Sequence, residues 1–286
     1  MNDFLLLLLV LFMYVWIMST KEDENVFVKL LLKKIRLFID SVCFMVLCND
    51  SRGIGPKKNP DPDLLLTRPL ANKKTVVFIR HGESDWNYVF NKGINLSVFV
   101  RLLRTLVEEL LMFGTVNSCF IDSPLNYEGV EQACELSRFL EGEAERSNDE
   151  GPTHSIIKIL AGIKSEEPSI IVSSSLRRAI ATTTLSLWSR ISKTGEKIFI
   201  LSSLQEISRN VDTFQLSAPH TVADLPFKRI IPHCCGGEEE SFIADKIYDA
   251  TENFGNKTYA FYGIKRLRSF GEWAMKRPES TIIGTL

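Results

Sequence analysis

The chain has 286 residues, ample for a buried core in one large domain or two small ones. Its 45% hydrophobic and 24% charged residues are those of an ordinary globular protein, and a formal net charge of -1 gives no basis for a nucleic-acid partner. Six cysteines, at Cys43, Cys48, Cys119, Cys134, Cys234 and Cys235, follow no zinc or disulfide-framework spacing and read as reduced thiols.

The chain opens on an unbroken apolar run of 15 residues, Phe4 to Met18. That length lies between a signal-peptide core and a full membrane span. A signal-anchor, a cleaved signal and a buried leader all fit residues 1–20. Lys29, Lys33, Lys34 and Arg36 follow, and by the positive-inside rule they would hold the rest of the chain in the cytosol. Val26 to Cys48 mixes apolar and basic residues at helical spacing. It reads equally as an amphipathic helix on a membrane surface or as a helix packed on the core. Residues 21–63 therefore form an amphipathic segment and a linker. The linker is Asn49 to Asp63, rich in Gly, Pro, Asn and Asp, and it places a domain boundary before residues 64–286.

Four apolar runs follow: Thr75–Ile79, Ser169–Ser173, Lys197–Leu201 and Thr281–Ile283. Unbroken apolar stretches of this length suit strands covered on both faces. Helical patterns over Leu96–Phe113, Leu125–Arg146 and Leu176–Ile191 lie between them. Asn148–Ser155 and Ala218–Glu240 read as loops. The alternation predicts an α/β fold, a three-layer α/β/α sandwich on a mainly parallel sheet. Acceptor triplets for N-glycosylation start at Asn49, Asn95 and Asn256, a common chance pattern.

The first predicted strand runs directly into Arg80-His81-Gly82-Glu83-Ser84, with Asn87 three residues on. Ligands of open α/β sheets bind at the carboxyl ends of strands, where His81 would sit. Gly82 would let backbone approach a ligand closely, and the turn over Glu83–Asn87 would offer free N–H groups to an anion. Arg80 carries a forked donor suited to phosphate oxygens.

These residues resemble the signature of the histidine phosphatase superfamily, the phosphoglycerate-mutase-like branch. Three further segments resemble that family in the same order: Ile121–Gly129 (IDSPLNYEG), Ser173–Ala179 (SSSLRRA) and Leu204-Gln205-Glu206. The resemblance covers about residue 73 to the last residue. It implies the phosphoglycerate-mutase-like sandwich and a phosphohistidine on His81. Arg80, Asn87 and Arg178 would hold the phosphoryl group, and Glu206 would protonate the leaving group. Arg177 would be a solvent-facing neighbour. To act as an acid, Glu206 needs a raised pKa. The resemblance implies no metal and no cofactor. The expected partner is a phosphorylated small molecule or a phosphoprotein, with membrane association through the N-terminus; without that anchor the protein would be cytoplasmic.

The sequence departs from the family at its end. The family's last strand leads into a turn bearing a second histidine, whereas here Ile282-Ile283-Gly284-Thr285-Leu286 stops. Of the other histidines, His154, His220 and His233, none follows a strand in that pattern. The expectation is a fold whose last part is truncated, with an uncovered sheet edge and a carboxylate at Leu286 near the pocket. Three readings stay open: a phosphatase, favoured over a mutase; an impaired relative that binds phosphorylated ligands or partners; and a truncated product that folds poorly.

Overall fold

The computed structural model describes residues 26–53, 73–93, 96–112, 114–145, 152–163, 168–225, 230 and 246–286. The run Phe4–Met18, most of the linker, and His233, Cys234 and Cys235 lie outside these residues. In chain order the elements are α1 (Val26–Leu47), β1 (Thr75–Ile79), α2 (Asp85–Phe90), α3 (Leu96–Leu111), α4 (Tyr127–Glu145) and α5 (Pro152–Leu160). They continue with β2 (Ser169–Ser174), α6 (Arg177–Ser186), α7 (Trp188–Thr194), β3 (Ile198–Leu201), β4 (Tyr248–Asp249), α8 (Gly263–Lys276) and β5 (Thr281–Thr285).

The five strands form one sheet in the order β1-β5-β2-β3-β4, and every pairing is parallel. Side chains of a strand alternate between faces, so two cores arise. Ile171, Ile198, Ile200 and Ile283 point into one, built with Leu125, Val130 and Ala133 near and on α4, Ile180 and Leu185 on α6, and Ile191 on α7. Ile170, Val172 and Ile282 point into the other, under Phe270 and Ala274 of α8. The result is the expected three-layer α/β/α sandwich. The apolar runs are continuous because both faces of β2 and β5 are covered. β1 is an edge strand, and its outward residues Val76 and Phe78 remain exposed, with Phe78 leaning on the Phe270 ring at 5.9 Å.

Several local expectations change in three dimensions. Leu176–Ile191 breaks at Leu187 into α6 and α7. Residues 152–160, partly read as loop, are helical because Ile156 and Ile157 pack on the core under α4. Helix α8 and the two-residue strand β4 had no reading in the sequence.

The boundary expected at Asn49–Asp63 falls too early for its first residues. Helix α1 packs Phe44 and Cys48 against Ile121, Val211 and Phe214. Asp50, directly after it, is completely buried. Its carboxylate takes a two-pronged pair from Arg266 at 2.9 and 2.8 Å, and its oxygens also accept the N–H groups of Gly263 and Ser208. Residues 26–53 are thus integral to the packed body. Lys34, read as part of a basic membrane face, is buried and donates to the Met112 carbonyl at 2.9 Å. Among the described residues no helix is long and apolar enough to cross a membrane. Cys43, Cys48, Cys119 and Cys134 are free thiols. The half-buried Asn256 side chain is bonded by Gln205 and the Gln215 backbone.

Candidate active site

The carboxyl ends of β1, β2 and β3 bring His81, Arg178 and Glu206 together. The β1–β5 ladder continues one step past the strands: His81 N donates to Leu286 O at 3.0 Å, and Leu286 N donates to Ile79 O. This fixes the backbone of His81 where the strand ends. Packing alone requires the next residue to be glycine, and Gly82 also lines the cavity beside His81. A Cβ on Gly82 would lie 2.5 Å from the Gly129 carbonyl oxygen, and one on Gly129 would lie 2.1 Å from that of Glu83. Two glycines far apart in sequence thus let the His81 turn lie directly on the start of α4.

The same packing consumes the N–H groups expected to serve an anion. Gly82 N donates to Thr182 Oγ1 and Glu83 N to Gln132 Oε1. Asp85 N goes to Pro124 O, Trp86 N to Ser123 Oγ, and Asn87 N to Ser84 Oγ. Side chains therefore supply the donors around His81. Arg80, Asn87, Asn91 and Gln132 line a cavity of about 400 Å³ beside the imidazole, together with Glu83, Thr182 and the apolar Ala133 and Leu136.

His81 is buried to 10% side-chain exposure. Its Nδ1 lies 2.6 Å from the Gly82 carbonyl, which can only accept, so Nδ1 carries the proton. The lone pair is left on Nε2, where Arg178 Nε donates at 3.1 Å. Burial, then the neighbouring Arg178 charge, pushes the imidazole pKa down to about 4, so the ring is neutral at pH 7.

Arg178 is itself 1% exposed. It donates to Glu206 Oε2 at 2.6 Å and to the Asp212 carbonyl at 2.8 Å, and lies 3.4 Å from Asp212 Oδ2. The two carboxylates respond differently. Burial alone would raise Glu206, but the charge and hydrogen bond of Arg178 outweigh it and hold it below the usual range. Asp212 is pushed up to about 6 by burial, with the Glu206 charge adding to it. The raised pKa expected of Glu206 is thus found on Asp212, because Arg178 gives its direct hydrogen bond to Glu206.

Behind Glu206 sits a second charged group. Lys257 Nζ donates to the Glu206 carbonyl at 3.2 Å, to the Ser208 carbonyl, and to Thr213 Oγ1 at 2.7 Å. Arg266 reaches the same Glu206 carbonyl at 3.3 Å, and buried Asp50 pairs with both cations. Burial is the main cause that lowers Lys257, to about 8.

Arg177 is not solvent-facing: it is 2% exposed. Its guanidinium donates to Asp122 O at 2.7 Å, Asn117 Oδ1 at 2.8 Å and Ser118 O at 2.6 Å. Asp122, at a positive φ of 51°, accepts the N–H groups of Arg177 and Leu216 in return. The double arginine is one residue for the site and one for the scaffold. His220 bonds the Thr251 carbonyl and His154 lies on α5; neither lines the cavity. Thr182, one turn beyond Arg178 on α6, had a helical-spacing signal. Asp212, Asp50 and Lys257 had none, since distant backbone brings them in.

No family model matches the chain, and no curated protein matches it.

Proposed function

We propose that this chain transfers phosphoryl groups from phosphomonoesters through a phosphohistidine on His81, with hydrolysis favoured over mutase chemistry. The observation that carries this reading is the buried, neutral imidazole at the end of β1, its Nδ1 proton pinned to Gly82 and its Nε2 lone pair directed at a guanidinium. Nε2 attacks phosphorus, the ester P–O bond breaks, and the leaving oxygen takes a proton from Glu206. Water then attacks phosphorus as the P–Nε2 bond breaks, returning a proton to the Glu206 carboxylate and releasing inorganic phosphate. Arg80 and Asn87 face the cavity where the transferred oxygens would lie, and Arg178 would turn from Nε2 onto them. That turn removes the cation from Glu206 and brings an anion close, and both changes raise its pKa toward that of an acid.

One observation favours the second reading, a protein that binds phosphorylated ligands without turning them over. Arg178 caps the Nε2 lone pair while Glu206 and Asp212 hold the rest of its guanidinium. One experiment separates the two. The full chain and its His81→Ala variant are incubated with an aryl phosphate, and both phosphate release and acid-labile phosphoprotein are followed. Release or label lost in the variant supports phosphoryl transfer. Protection from thermal unfolding by phosphate, with neither release nor label, supports binding alone.

The apolar run Phe4–Met18 and the exposed Lys29 and Lys33 of α1 support attachment of the N-terminus to a membrane with the folded part in the cytosol. Pelleting with membranes that resists salt would bear this out; full-length protein in the soluble fraction would not.

A further inference from the structure

Helix α3 presents apolar side chains to solvent along its whole length. Leu96, Phe99, Val100, Leu103, Leu110 and Leu111 are each between 64% and 85% exposed. At 100° per residue these positions share one arc, roughly 120° wide. The opposite side of the helix, with buried Thr105, faces the protein. A contiguous apolar strip of this size far exceeds the scattered exposed residues of a soluble surface and marks an interaction site. We propose that α3 lies in the plane of a phospholipid bilayer with this arc sunk into the acyl boundary.

Three features select lipid over a protein partner. No side chain named in the arc carries a hydrogen-bonding group, so it offers area without the directional contacts that specify a protein partner. Arg104, with its side chain 71% exposed, borders the arc, where its stem can lie on the apolar region and its charge reach the headgroups. Finally, α1 is fastened to the C-terminal end of α3 by Lys34, which bonds the Met112 carbonyl and lies 3.5 Å from Glu109. Exposed Lys29 and Lys33 lie on that same helix, and the chain before it holds the apolar run Phe4–Met18. The basic residues suit an anionic surface, and the apolar run brings a second lipid-seeking segment to the helix that grips α3.

The test reads α3 itself, so that anchoring by the N-terminus alone cannot imitate it. A fluorescent amino acid replaces Leu103 in the full chain, which is mixed with phosphatidylcholine–phosphatidylserine vesicles carrying nitroxide-labelled acyl chains. The expected result is a blue-shifted emission quenched by the nitroxide. In parallel, the triple variant Phe99→Ser, Leu103→Ser, Leu110→Ser should bind vesicles about tenfold more weakly or worse. A water-like emission overturns the proposal, whether or not the chain pellets with the vesicles. So does a blue shift without nitroxide quenching, which would mean that protein covers the arc, be it a second copy or another part of the chain.

Discussion

Replacing Asp50 with alanine tests whether the segment before β1 belongs to the cooperative unit. Asp50 is the anion that pairs with both Arg266 and Lys257, whose side chains are 1% and 0% exposed. Breaking a buried pair by removing one partner costs about 3–5 kcal/mol, because the remaining charge stays desolvated. Here two cations would remain, together with the unpaired N–H groups of Gly263 and Ser208. The loss is therefore expected in the upper part of that range at pH 7, a large share of the stability of an ordinary domain. Lys257 gives the loss a pH signature. Its pKa is already lowered to about 8, so without Asp50 it titrates lower still. The cost of a depressed lysine is full below its folded pKa, where the charge stays buried, and it lifts as pH rises from there toward the unfolded value of 10.5. The folded variant sheds the Lys257 proton from a lower pH, so the second buried charge is gone earlier and the extra loss caused by Asp50→Ala should shrink between pH 7 and 9. Urea unfolding of the full chain and the variant at both pH values measures this. A difference below about 1 kcal/mol at pH 7 would refute the burial of Asp50 in the cooperative core.

The two arginines of α6 should separate cleanly. Arg177→Met should lower stability by about 3 kcal/mol or more in thermal or urea unfolding, since it orphans the carbonyls of Asp122 and Ser118 and removes the charge beside the buried Asp122 carboxylate. Arg80→Ala, on an exposed residue at the cavity mouth, should leave the unfolding midpoint within error while weakening phosphate binding measured by calorimetry. Gly129→Ala should destabilise severely or prevent folding, because its Cβ would meet the Glu83 backbone at 2.1 Å and push the His81 turn off α4; circular dichroism and expression yield would report it. His81 has its folded pKa depressed to about 4 from 6.5, so protonation of the unfolded chain removes stability as pH falls through that window. His81→Gln should therefore gain on the wild type by about 3 kcal/mol between pH 6.5 and 4, and parallel unfolding curves across that range would refute the shift. Asp212 opposes it: its pKa of about 6 lies above the unfolded value, so the fold gains as pH falls from 6 toward 4. The wild type alone should then show a shallow pH dependence that steepens in Asp212→Asn.

The lysine and aspartate behind the site bear on the proposed chemistry as well. Glu206 has its carboxylate in the site and its carbonyl bonded to Lys257 and Arg266. Motion of the carboxylate as Arg178 swings away is thereby confined to the side chain, and the backbone stays anchored through Asp50 to the end of α1.

The layered architecture was legible in the sequence because it rests on local signals. The unbroken apolar run at Ser169–Ser174 is satisfied between two layers, while the similar run at Thr75–Ile79 lies at the sheet edge, and each is followed by a helical pattern. The position of His81 at the end of β1 follows from its own segment, whereas Arg178, four residues beyond β2, was singled out through the family resemblance alone. What the sequence could not decide depended on partners distant in the chain. Arg177 and Arg178 are adjacent and chemically identical, and only the position of Asp122, 55 residues earlier, makes one structural. Gly82 has its reason in Gly129. Asp50 sits in a Gly- and Pro-rich stretch that reads as linker, yet Arg266, 216 residues later, makes it a buried anchor. The protonation states are tertiary in the same sense: whether Glu206 or Asp212 carries a raised pKa depends on which oxygen Arg178 reaches, a matter of ångströms that no spacing along the chain encodes.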